Sequence, residues 1–322
     1  MRGSKKPTNS AITFKSSWQS NKKRGDFYVH LSLLIERKEI YNKNVRRVNM
    51  RSVAITGSAR GFGFALAKDF IKAGFNVILI DVNEENLTKA KEELETLNKE
   101  AKVLLYRGDV TVLSSIEPII EDAARQLGSI DIWINNAGVN QAMCPVWELD
   151  EKTVTRLIEI DLKGTILCSK AIMSYFVKQG HGQIYNVEGF GSNDAYQVGL
   201  SVYGTAKRGV TYFTEALAYE VKEKKLKIQV GKITPGIMIT NFINHNLGEG
   251  QAFELSPKVK KVYNILGDYP ETIASFMVKK IVKNKKNDVK FVWLSNARAF
   301  RRFLRAKHYM KRDFFHEHEG EK

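Results

Sequence analysis

The sequence predicts an α/β fold, a Rossmann-type doubly wound parallel sheet in a single domain with basic N- and C-terminal extensions. Three observations lead to it. From Met50 onward, runs of about five residues rich in Val, Ile and Leu alternate with helical patterns, as strands buried on both faces of a parallel sheet do. The first run passes directly into a glycine-rich turn and then a helix. The formal charge of +16 over 322 residues is concentrated at the two ends, leaving a nearly neutral body.

The elements follow in order. Ser52–Thr56 is a short apolar strand, and Gly61–Ala73 a helix whose apolar set is Phe64, Leu66, Ala67, Phe70 and Ile71. Asn76–Ile80 is the second strand, followed by a charged amphipathic helix around Glu84–Asn98. Further strands are expected at Lys102–Tyr106, Ile130–Asn135, Gln183–Val187, Lys227–Ile233 and Val289–Trp293. Helices lie between them, notably Lys152–Lys178 and Val202–Glu223. Right-handed crossovers then generate the doubly wound sheet. The expected division is 1–49 extension, 50–294 domain and 295–322 tail.

Composition narrows the function classes. Residues 1–49 carry 12 Lys/Arg against 3 Asp/Glu, residues 285–322 carry 11 against 5, and residues 50–284 carry 28 against 27. Basicity that avoids the body argues against nucleic-acid binding as the main function, and no nucleic-acid partner is expected. Cys144 and Cys168 suit neither a disulfide framework nor a zinc site, so a reducing, cytoplasmic setting is expected and no metal. No uninterrupted apolar run approaches the roughly 18 residues needed to span a bilayer. Residues 1–49 have three readings: a disordered basic arm, a start placed upstream of a true initiator at Met50, or an organelle transit peptide.

The turn after the first strand reads Thr56-Gly57-Ser58-Ala59-Arg60-Gly61-Phe62-Gly63. Glycines permit a tight turn and close approach of backbone to a pyrophosphate, and the helix N-terminus supplies free N–H groups for the anion. Asp81 closes the second strand, 18 residues after Gly63, where an acid accepts hydrogen bonds from the adenosine ribose of a dinucleotide. A carboxylate there repels a 2′-phosphate and favours NAD. Arg60, inside the turn, keeps NADP as the alternative. Asn83 is better placed than Asp81 to cap the following helix.

Five motifs occur in one order: Thr56-Gly57-x3-Gly61-x-Gly63, Asp109-Val110, Asn135-Asn136-Ala137-Gly138, Tyr203-x3-Lys207 and Pro235-Gly236. With these in register the chain resembles the short-chain dehydrogenase/reductase family over about residues 50–284. The resemblance implies an NAD(P)-dependent oxidoreductase that moves a hydride between nicotinamide and an alcohol or ketone. It also implies that Asp109 and Val110 contact the adenine and that Asn136, Ala137 and Gly138 line the cofactor cleft. Pro235, Gly236, Ile237 and Thr240 would meet the nicotinamide side. A homodimer or homotetramer through the two long helices is implied as well.

Tyr203 and Lys207, four apart, share one face of a helix. A free tyrosine titrates near ~10, and a neighbouring ammonium lowers that value. Tyr203 is thus the expected general acid/base, and Lys207 its activator and a ligand of the nicotinamide ribose. Two further positions of the family's tetrad are altered. Asn186-Val187-Glu188-Gly189-Phe190-Gly191-Ser192 has Glu188 and Gly189 where paired serines are common, leaving Ser192, 11 residues before Tyr203, as the available substitute. This acidic-Gly-x-Gly-Ser segment is similar to that of chlorophyll b reductase-like members. Asp161 stands where the family has an asparagine; it stabilises the Lys207 ammonium and opposes the lysine's effect on Tyr203.

Met238–Tyr269 follows the sixth strand and contains Phe242, Ile243, Leu247, Phe253, Leu255, Val262, Tyr263 and Ile265. It reads either as a lid over a hydrophobic small-molecule substrate or as a helical excursion that merely packs. Residues 296–315 read as a basic amphipathic helix with Phe300, Phe303, Leu304 and Met310 as its stripe. That helix either makes a peripheral membrane contact or docks its aromatics on the body. His316 and His318 belong to a frayed tail. The altered serine and asparagine positions admit a second function, a dinucleotide-binding sensor or scaffold without catalysis.

Overall fold

A computed structural model describes residues 50–141, 143–239 and 257–315. Residues 1–49, Thr240, the first part of the Met238–Tyr269 segment (including Phe242, Ile243, Leu247, Phe253 and Leu255), His316 and His318 lie outside the described residues.

Seven parallel strands form one sheet in the order β3-β2-β1-β4-β5-β6-β7. They are β1 Ser52–Thr56, β2 Asn76–Asp81, β3 Val103–Arg107, β4 Ile132–Asn135, β5 Gly182–Val187, β6 Ile228–Thr234 and β7 Val289–Val292. The expected strands are all present, each end shifted by no more than two residues. Around them run α1 Gly61–Lys72, α2 Glu84–Leu97, α3 Leu113–Leu127, α4 Glu151–Leu157, α5 Thr165–Gln179, α6 Ser201–Glu223, α7 Pro257–Leu266, α8 Pro270–Lys283, α9 Asn296–Leu304 and α10 Ala306–Tyr309.

Side chains on each strand alternate between two apolar layers. Val53, Ile55, Val77, Leu79, Ile132 and Ile134 face α1, α2 and α8, together with Phe70, Leu94 and Met277. Ala54, Ile78, Ile80 and Trp133 face α3, α5 and α6, with Ile116, Phe176 and Val221. Both faces are covered, which is why the strands read as unbroken apolar runs. Strand order reverses between β1 and β4, so a crevice opens beyond their carboxyl ends, where open α/β sheets bind ligands.

Two expectations are corrected. The long helix over Lys152–Lys178 is not continuous α-helix: Ile158–Gly164 is a π-helical stretch between α4 and α5. Gly164 ends it against Val110, where an added Cβ would sit 2.8 Å from the valine's Cγ2. The tail is not one amphipathic helix either, since it breaks at Arg305 between α9 and α10. No helix among the described residues is long and apolar enough to cross a membrane.

Phe176 is fully buried beneath β5, its ring within 2.5 Å of where a Cβ on Gly182 would stand. Phe176→Ala should therefore destabilise the fold by about 3–5 kcal/mol, read as a lowered urea midpoint at constant slope.

Candidate active site

The glycine turn is built around Thr56. Its hydroxyl accepts the backbone N–H groups of Asn136 and Ala137, both at 3.0 Å, joining the end of β1 to the segment after β4. Asn136 returns the tie, its side-chain amide donating to the carbonyls of Thr56 and Gly57 at 3.0 Å. Close approach explains two of the glycines. A Cβ on Gly57 would lie 2.7 Å from the Ala137 Cα, and one on Gly63 would lie 2.3 Å from the Gly57 carbonyl oxygen. Gly61 differs. It has φ +58 and no heavy atom within 4 Å of an added Cβ, so this glycine serves the turn's conformation and leaves open space in front of the α1 N-terminus.

The other residues expected to meet a cofactor follow the carboxyl ends of β1, β2, β3 and β6. Ser58 is buried, and its hydroxyl is engaged with Ile80, accepting that residue's N–H at 2.9 Å. Phe62 is packed into the core. Arg60 is exposed at the turn. The Asp81 carboxylate accepts N–H groups from Ala59 at 3.2 Å and Asn83 at 3.1 Å, while Asn83 caps α2 through Asn86. Asp109 holds its own turn, accepting from the Thr111 backbone at 2.9 Å, and Val110 is buried. A cavity of about 730 Å³ lies beside them, lined by Val82, Asp109 and Thr111 opposite Arg156 and Ile160. Gly236, at φ +76, packs on Leu294, and Ile237 is half-buried.

Tyr203 and Lys207 sit on the first turns of α6 and face Gly138 and Gly189. Lys207 Nζ lies 5.6 Å from the centroid of the Tyr203 ring and 2.9 Å from Asp161 Oδ2. Asp161 is fully buried on the π-helical stretch; its Oδ1 accepts the Val139 N–H at 2.8 Å, and its carbonyl accepts the Thr165 hydroxyl at 2.8 Å. Oδ2 has no hydrogen-bond partner besides the ammonium it is paired with. An added Cβ at Gly138 would fall 3.1 Å from that oxygen and 3.4 Å from Lys207 Nζ, so a larger residue would press on the pair by a few tenths of an ångström.

From the sequence, Lys207 should draw the Tyr203 phenol below its ordinary range. The structure gives the opposite net direction. Burial pushes the phenol up, the Lys207 cation pulls it down, and the Asp161 carboxylate adds to the rise. For Lys207 burial works downward, but Asp161 and Tyr203 outweigh it and hold the ammonium above its usual value.

The segment after β5 contains features that the sequence did not reveal. Gly189 lies against Tyr203: an added Cβ would stand 2.3 Å from the phenol oxygen. Ser192 is buried; its hydroxyl donates to the Lys207 carbonyl at 3.2 Å and accepts the Gly189 N–H at 3.3 Å. Glu188 is a buried carboxylate that accepts hydroxyls from Thr211 at 2.9 Å and Thr234 at 2.6 Å, and it pairs with Lys290 at 2.8 Å. Gln141 accepts the Tyr203 backbone N–H at 2.8 Å and donates to the Gly199 carbonyl at 2.7 Å, knitting the loops after β4 and β5 to the start of α6. An acid in a serine-rich position could have drawn attention to Glu188. Nothing in the sequence signalled Gln141.

Residues 51–251 match the family model for short chain dehydrogenases. The chain belongs to the short-chain dehydrogenase/reductase family. Its members are oxidoreductases that use nicotinamide dinucleotides on alcohol and carbonyl groups. A probable chlorophyll(ide) b reductase of Arabidopsis thaliana is 31% identical over 264 residues, 76% of this chain and 51% of that protein. A diacetyl reductase of Staphylococcus epidermidis that forms (S)-acetoin is 30% identical over 233 residues, 69% of this chain and 86% of the relative. This family member thus spans about half the length of the chlorophyll(ide) b reductase and most of the diacetyl reductase. The crystal structure of levodione reductase superposes with a TM-score of 0.67 at 23% identity, covering 78% of this chain and 98% of that one, and so shares the fold.

Two substitutions test the geometry. Asp161→Asn removes the negative charge that raises Tyr203, so the pH at which tyrosine-dependent oxidation rises should move toward acid; an unmoved or alkaline-shifted profile contradicts the arrangement. Gly189→Ala should displace the phenol and lower kcat by about 10²-fold, as misplacement of a reacting group by an ångström does, while cofactor affinity stays within the parent's range.

Proposed function

We propose that the chain is an NAD(P)-dependent oxidoreductase that interconverts an alcohol and a carbonyl on a bulky apolar substrate, with Tyr203 as general acid/base. The observation that carries this reading is the juxtaposition of Tyr203, Lys207 and Asp161 at the open end of the glycine-turn crevice. The crevice fits a dinucleotide. The space in front of Gly61 and the free N–H groups of the α1 N-terminus suit a pyrophosphate, and the cavity beside Val82 and Asp109 suits the adenine end. Asp81 favours NAD at the ribose, since its carboxylate repels a 2′-phosphate, with NADP through Arg60 as the alternative. When bound, the nicotinamide supplies or accepts the hydride.

The chain's own residues do the rest. In reduction the Tyr203 hydroxyl donates its proton to the carbonyl oxygen; in oxidation its phenolate takes the proton from the alcohol. Lys207, fixed by Asp161 at 2.9 Å, stays protonated and offers its remaining donors to the nicotinamide ribose. Because the ammonium is already neutralised by a carboxylate, it depresses the Tyr203 pKa less than an unpaired lysine would. This suits a phenol that acts chiefly as a proton donor, hence the reductive direction.

The loops after β4 and β5 carry exposed apolar side chains: Trp147, Tyr196 and Val198 are 82%, 94% and 81% exposed, and Met143 and Phe190 are partly exposed. Gln141 and Gly199 hold the two loops that carry them together. Gln141 also accepts the Tyr203 N–H, so exposed apolar residues on these loops suit a substrate whose apolar body extends beyond the reacting carbon, in line with the name of the chlorophyll(ide) b reductase relative. Association through α5 and α6 is part of the proposal, since Val177, Tyr212 and Tyr219 on these helices are exposed.

A second reading has one observation in its favour. The Ser192 hydroxyl is turned to the Lys207 carbonyl, leaving the usual substrate-polarising donor unassigned. A dinucleotide-binding sensor or scaffold would tolerate that. Turnover of a panel of hydrophobic ketones and aldehydes with NADH and NADPH, compared with Tyr203→Phe, decides. The oxidoreductase predicts measurable reduction that falls by at least about 10²-fold in the variant; cofactor binding without turnover across the panel favours the sensor.

A further inference from the structure

The helix near the end of the described residues is packed inside out. α9 turns two of its three arginines, Arg298 and Arg302, toward the body. Arg302 is buried, pairs with Asp268 at 2.7 Å and donates to the Leu266 carbonyl at 2.9 Å. Arg298 lies over the Trp293 ring at 3.8 Å from its centroid and donates to the Trp293 carbonyl. Beyond α10, Arg312 reaches the other oxygen of Asp268 at 3.2 Å. The apolar residues point the other way. Phe300 is 64% exposed, Phe303 49%, Leu304 70% and Met310 44%. Exposed Arg301, Arg305, Lys307 and Lys311 surround them. A helix that merely docks on its own domain buries the phenylalanines and leaves the arginines in water.

We infer that this outward face seats on an anionic phospholipid surface. Phenylalanine and leucine side chains enter the boundary between headgroups and acyl chains, and the flanking cations pair with lipid phosphates. Charge selects this occupant over a second copy of the chain. Residues 285–322 carry 11 Lys/Arg against 5 Asp/Glu, so two tails face to face would set cation against cation, whereas an anionic lipid layer pairs with each of them. The inward arginines fix the orientation. Held by Asp268 and Trp293, they keep α9 from rolling its phenylalanines onto the body. The inference does not depend on the proposed chemistry, but the two are adjacent: Asp268 also donates its N–H to the Ile237 carbonyl at 3.1 Å and accepts the Ile239 N–H at 3.0 Å, on the nicotinamide side of the cleft.

The test is flotation of the full-length chain with phosphatidylcholine vesicles, with and without phosphatidylglycerol, at low and raised salt. Residues 1–49 carry 12 Lys/Arg against 3 Asp/Glu and add a salt-sensitive attraction of their own, so the informative fraction is the one that survives salt. The parent should float with phosphatidylglycerol vesicles and retain a salt-resistant fraction. A Phe300→Ser, Phe303→Ser, Leu304→Ser triple variant should lose that fraction by about tenfold or more, with NADH binding unchanged as the check on folding. Replacing Leu304 by Trp should give emission that brominated phosphatidylcholine, mixed with phosphatidylglycerol, quenches. Equal flotation of parent and triple variant, equal binding to phosphatidylcholine alone, or no flotation of the parent overturns the inference. So does a triple variant that changes oligomeric size by light scattering without any loss of lipid binding, since the face then belongs to another copy.

Discussion

Lys207 and Asp161 form a buried ion pair, and the proposed chemistry is arranged around it. Taking both charges out of water is expensive, and removal of either partner from such a pair costs about 3–5 kcal/mol because the other remains buried and uncompensated. The protein meets this with geometry drawn from two parts of the chain. Gly138 leaves the space, Val139 supplies an N–H to the carboxylate, and the π-helical stretch from Ile158 to Gly164 carries Asp161. π-Bulges concentrate at functional sites because the wider turn redirects a side chain and its carbonyl. Here the Asp161 carboxylate meets Lys207, and its carbonyl takes the Thr165 hydroxyl.

The pair also settles the electrostatic character of the neighbouring phenol. In a site with a neutral amide at position 161, the lysine would act on Tyr203 unopposed. With a carboxylate there, the cation's pull is partly cancelled and burial dominates, so Tyr203 holds its proton more firmly. Position matters as much as protonation. Gly189 brings the backbone of the β5 loop against the phenol oxygen, and Gln141 holds the residue's own N–H. The loop therefore positions the phenol through contact, while its serine hydroxyl braces the loop from behind.

Local pattern carried most of the fold. Strand runs such as Ser52–Thr56 and Ile132–Asn135 are apolar because both faces of the sheet are covered, and that condition leaves an unmistakable trace in the sequence. The glycine turn was equally legible, since its need for close approach and positive φ is met by glycine alone. What escaped was long-range or compensatory. The π-helical stretch has the same apolar spacing as the helix it interrupts. The inward turn of Arg302 left no local trace because its partner, Asp268, is 34 residues away in the chain. The sign of the Tyr203 shift depended on burial, which the spacing of Tyr203 and Lys207 does not encode.

Glu188 ties distant parts of the molecule to the loop that packs against Tyr203. It sits at the exit of β5 and is gripped by Thr211 of α6, Thr234 at the end of β6 and Lys290 of β7. β7 is an edge strand, paired on one side only among the described residues, and segments with less of their backbone held open at lower free energy than the core strands. Loosening of that margin would release one of the three grips on the carboxylate that precedes Gly189, so the loop against the phenol would slacken while the central strands were still intact. Any chemistry that relies on the placing of Tyr203 would then fail below the temperature at which the core melts.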